Sequence, residues 1–258
     1  METNRQVALD AILSAKKYRQ IVPEAVERIF WEEVSRQKSA KEASKRARAR
    51  LHQLSCAFMN PQTLKAAEGM LARYASGEEG ALFEALRLHS STAERLAEME
   101  PLWARIDPAG AGLIVDLACG LNPLYLGHTG RKVRGYDISL GQVELINMWA
   151  ARMGWDVAAQ GADLTQPVAL PACDLALMMK LLPVLEQQQK GAGMALLSSI
   201  SAARKLVSFP TKTLGGRSVG MEAQYSRWFE QNLPQGEQIL DRFVLAGELC
   251  YMTAPLSK

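Results

Sequence analysis

Three carboxylates follow short apolar runs in the second half of the chain, at the points where predicted strands end. Asp116 closes the run IVD, Asp137 closes GYD, and Asp163 follows the run VAAQGA. Ligands of open parallel sheets bind beyond the carboxyl ends of the strands, so we expect the three acids to converge on one site. Because ionised carboxylates only accept hydrogen bonds, the pattern predicts a ligand rich in hydroxyl and amine donors.

The turn after the first predicted strand limits what that ligand is. It reads DLACGLNPL over 116–124 and contains one glycine, Gly120. A dinucleotide site needs a GxGxxG turn, because the backbone must close on a pyrophosphate. The sequence therefore argues against a nicotinamide dehydrogenase and favours a ligand without phosphate.

S-adenosylmethionine matches these groups, since it carries a ribose diol, an adenine amine, a sulfonium and an amino-acid end. We expect Asp137 to accept from the diol and Asp163 from the adenine amine. Gly120 would let the methionyl part lie against the turn, and Arg95 would bind the methionine carboxylate through paired hydrogen bonds. A single acid at a strand end is often only a helix cap, and a single arginine is often solvated. The combination at successive strand ends therefore carries the prediction.

The elements that position these residues form an alternating pattern from residue 109 to residue 258. Helical stretches separate most of the strand candidates, which predicts a parallel sheet with helices on both faces. The tail QILDRFVLAGELCYMTAP predicts two antiparallel strands joined by a tight turn at 246–248. We expect an α/β fold, a Rossmann-like class I methyltransferase sheet of five parallel strands plus a C-terminal antiparallel hairpin. The parallel strand candidates are GLIVDLA (112–118), KVRGYDI (132–138), WDVAAQGADL (155–164), DLALMMKLL (174–182) and KLVSFPT (205–211).

The first part of the chain has a different character. Residues 1–108 contain no strand-like run, and two S-x-x-E capping boxes, at 39–42 and 91–94, predict helix starts. The second box should open a helix that runs to about Trp103. We therefore expect an all-helical N-terminal domain over 1–108 and a catalytic domain over 109–258.

Composition limits the class of protein. The chain has 258 residues, of which 48% are hydrophobic and 22% charged, as in ordinary globular proteins. No apolar run approaches the ~20 residues that a bilayer crossing needs, and the amphipathic N-terminus lacks the features of a signal peptide. We expect a soluble cytoplasmic protein. Four cysteines and three histidines are scattered without metal-ligand spacing, so we expect no metal.

Basic residues cluster in the predicted helical domain. Residues 38–50 include six lysines and arginines and one acid, and Lys41, Lys45 and Arg48 share one helix face. A second cluster lies at 16–19. Such a face is either simply solvated or contacts the phosphates of a folded RNA, whose shape is read more than its sequence.

The chain resembles the 16S ribosomal RNA guanine-N7 methyltransferases that make bacteria resistant to aminoglycosides. The resemblance runs nearly from end to end. It includes the early SAKKYR and RARARLH segments and the positions of Asp137 and Asp163. The most specific stretches are LHSSTAERLAE (88–98), DLACGLNPL (116–124), KLLPVLE (180–186) and VSFPTKTLGGRSVGME (207–222) with the QYSRWFE that follows.

The resemblance implies methylation at N7 of guanine-1405, with S-adenosylmethionine as donor and the assembled 30S subunit as substrate. It implies that the helical domain grips the RNA, and we expect a monomer with no membrane partner. The predicted cofactor-binding residues are Arg95, Asp116, Ala118, Gly120, Asp137, Ile138, Asp163, Leu164 and Gln189. The predicted RNA-binding residues are Lys17, Arg48, Arg50, Lys212, Arg217 and Met221.

Lys180 ends the fourth predicted strand, where methyltransferases usually present residues to their target. We expect it to position the guanine through O6 or a phosphate, although a solvated lysine would look the same in the sequence. Guanine N7 has a free lone pair and no proton to remove, so the reaction needs no general base. The segment after the fifth predicted strand adds Lys212, Arg217 and a flexible loop at Gly215-Gly216 to the expected RNA-binding surface.

Two other classes of function are compatible with the sequence. One is a methyltransferase for another rRNA atom, such as adenine N1, or for a small molecule. The basic helical domain argues against the small molecule. The other is a non-catalytic RNA-binding protein with a vestigial cofactor site, which would not bind S-adenosylmethionine in a calorimeter.

Overall fold

The structure, a computed structural model, describes residues 2–55, 59–107, 109–211 and 220–256. Among the helices of these ranges, none combines the length and apolar composition that a bilayer crossing requires. The first helices are α1 (Glu2–Leu13), α2 (Pro23–Arg36), α3 (Ala40–Ser55), α4 (Pro61–Ala75), α5 (Gly80–Arg87), α6 (Ser90–Arg95), a 3₁₀ turn (Leu96–Glu98) and α7 (Met99–Ile106).

Strands and helices then alternate, as the sequence predicts. The strands are β1 (Ile114–Leu117), β2 (Val133–Asp137), β3 (Val157–Gly161), β4 (Cys173–Met179), β5 (Ala202–Pro210), β6 (Glu237–Leu245) and β7 (Glu248–Pro255). The helices among them are α8 (Asn122–His128), α9 (Leu140–Met153), α10 (Leu181–Gln188), α11 (Ala192–Ser199) and α12 (Met221–Asn232).

One seven-stranded sheet organises the second half of the chain, in the order β3-β2-β1-β4-β5-β7-β6. The first five strands are parallel, and β7 runs antiparallel to both β5 and β6. The predicted fold class is confirmed. Because the chain moves outward from β1 in one direction and from β4 in the other, the carboxyl ends of these two strands form the topological switch point, where open α/β sheets bind ligands in a crevice.

One of the two predicted capping boxes is confirmed, and the other is wrong. The backbone N–H of Glu42 donates to Ser39 Oγ at 3.2 Å, as predicted. The helix near residue 91 is instead capped by His89, whose Nδ1 accepts from the backbone N–H of Thr92. The chain then tightens into the 3₁₀ turn, so the expected single helix to Trp103 is divided between α6 and α7.

Apolar packing groups most of the N-terminal helices with the sheet. Leu71 of α4, Leu86 of α5 and Trp103 of α7 join one core with Ile114 of β1. A separate core lies inside α1–α3. The division of the chain at residue 108 stays a prediction; among the described residues, the helices with a core of their own are α1–α3.

The α1–α3 bundle is joined to the sheet beside the end of β2. The backbone N–H of Val22 donates to the carbonyl of Ile138 at 3.0 Å, and the N–H of Leu140 donates to the carbonyl of Gln20 at 2.8 Å. Ile138 and Leu140 also pack on the bundle core. The bundle therefore forms a wall beside the strand ends where the predicted site lies.

Candidate functional site

Asp116 lies in the crevice at the end of β1 and is 2% exposed. Its Oδ2 accepts a hydrogen bond from Asn122 Nδ2 at 2.7 Å. Burial raises the pKa of Asp116 to about 7, while Asn122 and the nearby Arg95 act to lower it. The carboxyl group therefore changes charge close to neutral pH.

The turn after β1 has an unusual backbone. Ala118 is exposed and has a φ of 54°, a conformation that costs a residue other than glycine about 1–2 kcal/mol. Gly120 has a φ of 53°, and its N–H donates to Asp137 Oδ2 at 2.9 Å. A Cβ at Gly120 would collide with the ring of His89. The single glycine is therefore required by close packing and by its positive φ.

Asp137 ends β2 and is 6% exposed. Its Oδ1 accepts from the N–H of Ser139 at 2.9 Å, in addition to the bond from Gly120 at Oδ2. Burial raises the pKa of Asp137, and these backbone donors oppose that shift. Each carboxylate oxygen keeps capacity for one more hydrogen bond, which suits two hydroxyl groups of a diol.

Asp163 follows β3 and accepts several hydrogen bonds from the protein that the sequence does not predict. Arg28 of α2 donates through Nε to Asp163 Oδ2 at 2.6 Å. The hydroxyl and the N–H of Thr165 donate to Oδ1 at 2.6 and 3.1 Å. The capacity that remains for a ligand amine is on Oδ2. No sequence signal links Arg28 to this acid, because 135 residues separate them.

Arg95 is buried at the mouth of the crevice, with 5% exposure. One terminal nitrogen donates to Glu248 Oε1 and to Ser91 Oγ, both at 3.0 Å. The Nε of Arg95 is buried and has no hydrogen-bond partner among the residues that the structure describes. A buried donor left unpaired costs about 1–3 kcal/mol, so this group is suited to an anionic ligand.

Lys180 stands at the junction of β4 and α10 with a φ of 54°. Its Nζ contacts Glu94 and lies 3.5 Å from Glu248 Oε1. Glu248 therefore lies between Lys180 and Arg95, and its Oε2 accepts from Ser208. The positive φ values at Lys180 and Ala118 place backbone strain at the ends of two adjacent strands, as at many functional sites.

The sequence prediction for Glu248 is wrong. The tight turn consists of Ala246 and Gly247, with φ values of 51° and 72°, and Glu248 is the first residue of β7. A two-residue hairpin turn of this kind needs two residues with positive φ. Had the turn been placed there, a glutamate opening the apolar run ELCYM would have indicated a buried, paired charge.

His89 is a further residue that the sequence did not single out, after Arg28 and Glu248. Burial and the nearby charges of Arg95 and Lys180 lower its pKa to about 4. The imidazole is therefore neutral near pH 7, and its Nδ1 can accept from Thr92 at the start of α6. The ring connects the helix that carries Arg95 to the turn at Gly120.

Three other predicted cofactor residues have positions that do not by themselves indicate a ligand contact. Ile138 is half-buried and bonded to Val22 through its carbonyl, and Leu164 is buried in the sheet core. Gln189 is exposed at the end of α10, whereas its neighbour Gln188 accepts from Arg28 at 3.3 Å. Cofactor contact by these three residues stays a prediction.

The predicted RNA-binding residues of the bundle differ in how free their charges are. Lys17 is exposed, with Nζ 2.9 Å from His52 Nδ1. Arg48 donates to the carbonyl of Ala11 at 3.1 Å. Arg50 forms ion pairs with two glutamates of α2, at 2.8 and 2.9 Å, so its charge is already compensated inside the bundle.

The remaining RNA predictions lie after β5. Met221 is half-buried and begins α12. Lys212 and Arg217 lie outside the described residues, as does the Gly215-Gly216 pair. Trp228 of α12 packs against the sheet core.

Comparison with known proteins identifies the family of this chain. A family model described as FmrO, ribosomal RNA methyltransferase, matches residues 14–252. The chain belongs to this family. A relative from Serratia marcescens, named 16S rRNA (guanine(1405)-N(7))-methyltransferase, is 44% identical over 95% of this chain and 96% of its own. A relative of the same name from Frankia casuarinae is 31% identical over 94% of this chain and 91% of its own.

Two solved structures of 16S rRNA methyltransferases are also similar to this chain over almost its whole length. The 16S rRNA methyltransferase RmtF, solved in complex with S-adenosyl-L-homocysteine, is 46% identical and superposes with a TM-score of 0.92, over 99% of this chain and all of that one. The 16S rRNA methylase RmtB is 39% identical, with a TM-score of 0.87 over 98% of each chain. The bundle and the sheet are thus both shared with this group.

Proposed function

We propose that the protein methylates N7 of guanine-1405 of 16S rRNA in the assembled 30S subunit, with S-adenosylmethionine as the donor, and so confers aminoglycoside resistance. One observation carries the proposal. A buried Arg95 Nε, without a partner among the described residues, and acceptor-only carboxylates meet at the strand ends of a chain that aligns almost completely with relatives of that activity. The same alignment favours rRNA over a small-molecule substrate.

The groups at the crevice fit S-adenosylmethionine. The unpaired Nε of Arg95 can donate to the methionine carboxylate. Asp137 retains an acceptor site on each oxygen for the ribose hydroxyls, and Asp163 retains one for the adenine amine. Ala118 is exposed at the turn where the methionyl part would pass. No phosphate is required, which agrees with the turn's single glycine.

The chain's own residues contribute placement. When bound, S-adenosylmethionine supplies an activated methyl group that an unprotonated purine N7 accepts without a general base. Catalysis then depends on the orientation of the two reactants, which Arg95, Asp137 and Asp163 fix on the cofactor side. We propose that Lys180, which contacts Glu94 and lies near Glu248, donates to guanine O6 or to a phosphate. Turning the guanine out of its stack costs a few kcal/mol, which RNA contacts must offset.

The α1–α3 bundle is the proposed rRNA grip. Lys41 and Lys45 are exposed one helical turn apart on α3, and Lys17 is exposed in the segment between α1 and α2. Such cations contact phosphates without reading bases, which suits a folded RNA surface. We propose that the protein acts as a monomer in the cytoplasm, where assembled 30S subunits are found. Size-exclusion chromatography with light scattering measures the first of these points.

The decisive experiment treats purified 30S subunits with methyl-labelled S-adenosylmethionine. We expect one methyl group per 16S rRNA, mapped to N7 of guanine-1405 by mass spectrometry. Expression in a susceptible bacterium should protect against gentamicin-type but not neomycin-type aminoglycosides. Asp137→Asn should abolish labelling, whereas Asp156→Asn, at an exposed surface ion pair, should not. Label on another base would overturn the assignment of the atom, and 30S binding without label would favour a non-catalytic protein.

A further inference from the structure

Arg28 connects the α1–α3 bundle to the adenine-side acid of the proposed site. Its side chain is 11% exposed. It donates to both oxygens of Asp163, at 2.6 and 3.4 Å. It also donates to Glu32 at 2.8 Å and to Gln188 of α10 at 3.3 Å. One arginine thus joins α2, the loop after β3 and α10.

A further ion pair, between Glu32 and Arg50, supports Arg28 from within the bundle. Glu32 uses its other oxygen to accept from Arg50 of α3 at 2.8 Å. Burial acts to raise the pKa of Glu32, but hydrogen bonds from Arg28 and Arg50 lower it overall. The series Arg50, Glu32, Arg28 and Asp163 is therefore a chain of charged partners that runs from α3 to the strand ends. Charge-assisted pairs of this kind have a fixed geometry when they are partly buried.

The contact between the bundle and the sheet is close at the same place. A Cβ at Gly161, the last residue of β3, would lie 3.0 Å from a Val22 methyl and 2.7 Å from a Leu140 methyl. Backbone hydrogen bonds of Val22 and Leu140 join the bundle to the loop after Asp137. The bundle therefore contacts the loops of both acids predicted to hold the nucleoside half of the cofactor.

From this geometry we infer that Arg28 is a positioning residue, which orients Asp163 toward the adenine amine of S-adenosylmethionine. Through Glu32 and Arg50, Arg28 also makes cofactor affinity depend on how the α1–α3 bundle is seated. The inference rests on the proposed role of Asp163 in the cofactor site. Because coupling between two sites is reciprocal, a bundle held in place by rRNA would favour cofactor binding, and the converse.

Calorimetric titration with S-adenosylhomocysteine tests the inference without any catalytic readout. We expect Arg28→Ala to raise the Kd about tenfold, equivalent to about 1.4 kcal/mol. Arg28→Lys retains the charge but loses the forked geometry, and we expect a smaller increase of about threefold. The matched control is Arg36→Ala on the same helix, since Arg36 is 60% exposed and contacts only Glu33 among the described ion pairs. Its Kd should equal that of the wild type.

A second ligand separates positioning from general loosening of the fold. In S-inosylhomocysteine an oxygen replaces the adenine amine, so Asp163 has no amine donor to accept from. The wild type should prefer S-adenosylhomocysteine at least tenfold, and Arg28→Ala should reduce that ratio to about threefold or less. A purely structural role of Arg28 would weaken both ligands equally and leave the ratio unchanged. Arg50→Ala should lower the ratio in the same direction, because it releases Glu32.

The outcomes are distinguishable. Wild-type protein that binds no S-adenosylhomocysteine would overturn the proposed function and this inference together. Wild-type binding with an unchanged ratio in the Arg28 variants would overturn the inference alone. If Arg28→Ala does not fold, Arg28→Lys decides on the same ratio, since its retained charge still compensates Asp163.

Discussion

Glu248 accepts a hydrogen bond from Arg95 at 3.0 Å, and both side chains are almost fully buried at the mouth of the crevice. The same oxygen of Glu248 lies 3.5 Å from Lys180 Nζ. One carboxylate from the C-terminal hairpin is thus the counterion of two cations. They are Arg95, which is proposed to bind the cofactor, and Lys180, which is proposed to position the target base. The hairpin therefore contributes to the proposed site and also forms an edge of the sheet.

Replacement of Glu248 should therefore disturb both functions at once. Glu248→Gln leaves two cations close together without their shared counterion, and loss of one partner of a buried pair costs about 3–5 kcal/mol. Chemical denaturation should show this loss, and calorimetry should show altered cofactor affinity. Glu230→Gln on α12 removes a more exposed carboxylate and serves as the control. A Glu248 variant as stable as the wild type would contradict the shared-counterion role.

Lys180→Ala should separate turnover from cofactor binding. Arg95 keeps its bond to Glu248 in this variant, so the cofactor side remains compensated. We expect turnover on 30S subunits to fall about 10–100-fold, the usual size of a lost positioning contact, while the Kd for S-adenosylhomocysteine changes less than about threefold. Lys190→Ala, at an exposed lysine after α10, is the control. Unchanged turnover would rule out the role of Lys180.

His89 should contribute to acid sensitivity. Its folded pKa is about 4, below the ordinary value of 6.5, so the folded state favours the neutral ring. Its contribution is complete above pH 6.5 and is lost as the pH falls toward 4, by up to about 3 kcal/mol. His89→Asn keeps a capping side chain that does not titrate, so the difference in unfolding free energy between variant and wild type should shift over this interval. A constant difference would contradict it.

Asp116 should show the opposite dependence. Its folded pKa is about 7, against an ordinary value of 3.8, so the folded state binds the proton more tightly. Stability from this group is present at low pH and is lost as the pH rises through 7. Asp116→Asn should then stabilise the free protein by about 2–4 kcal/mol at pH 8 and have little effect near pH 4. Thermal unfolding at both pH values measures this, and equal effects at both would contradict the shifted pKa.

The exposed lysines of α3 should control the salt dependence of 30S binding. Removal of both charges in Lys41→Ala/Lys45→Ala should lower the slope of log K against log salt by about 1.5, because each phosphate contact contributes about 0.7–0.9. Lys132→Ala, at the amino end of β2, should leave the slope unchanged. Arg50→Ala should act chiefly on stability and cofactor affinity, since Arg50 is paired with Glu32 and Glu33. A salt-insensitive complex would exclude the phosphate contacts.

The amino-acid sequence alone determined the sheet and the places where its strands end. Alternation of apolar runs with helical stretches is a local property, and it placed Asp116, Asp137 and Asp163 at successive strand ends as the structure has them. It also placed the first capping box at Ser39, because a cap involves residues only three positions apart. The single glycine of the first turn was likewise visible, although its contact with His89 was not.

Only the tertiary structure decided which charges meet. Arg95 and Glu248 are 153 residues apart, and Arg28 and Asp163 are 135 apart. The sequence predicted Glu248 to be part of a turn, whereas packing makes it the partner of a buried charge. Packing also pairs Arg50 with Glu32 and Glu33, which the sequence did not indicate, and its contact with RNA stays a prediction. Periodicity records which residues face inward, but the partner of a buried charge depends on how distant elements pack. That packing brings the hairpin and the helical bundle to the same mouth of the sheet.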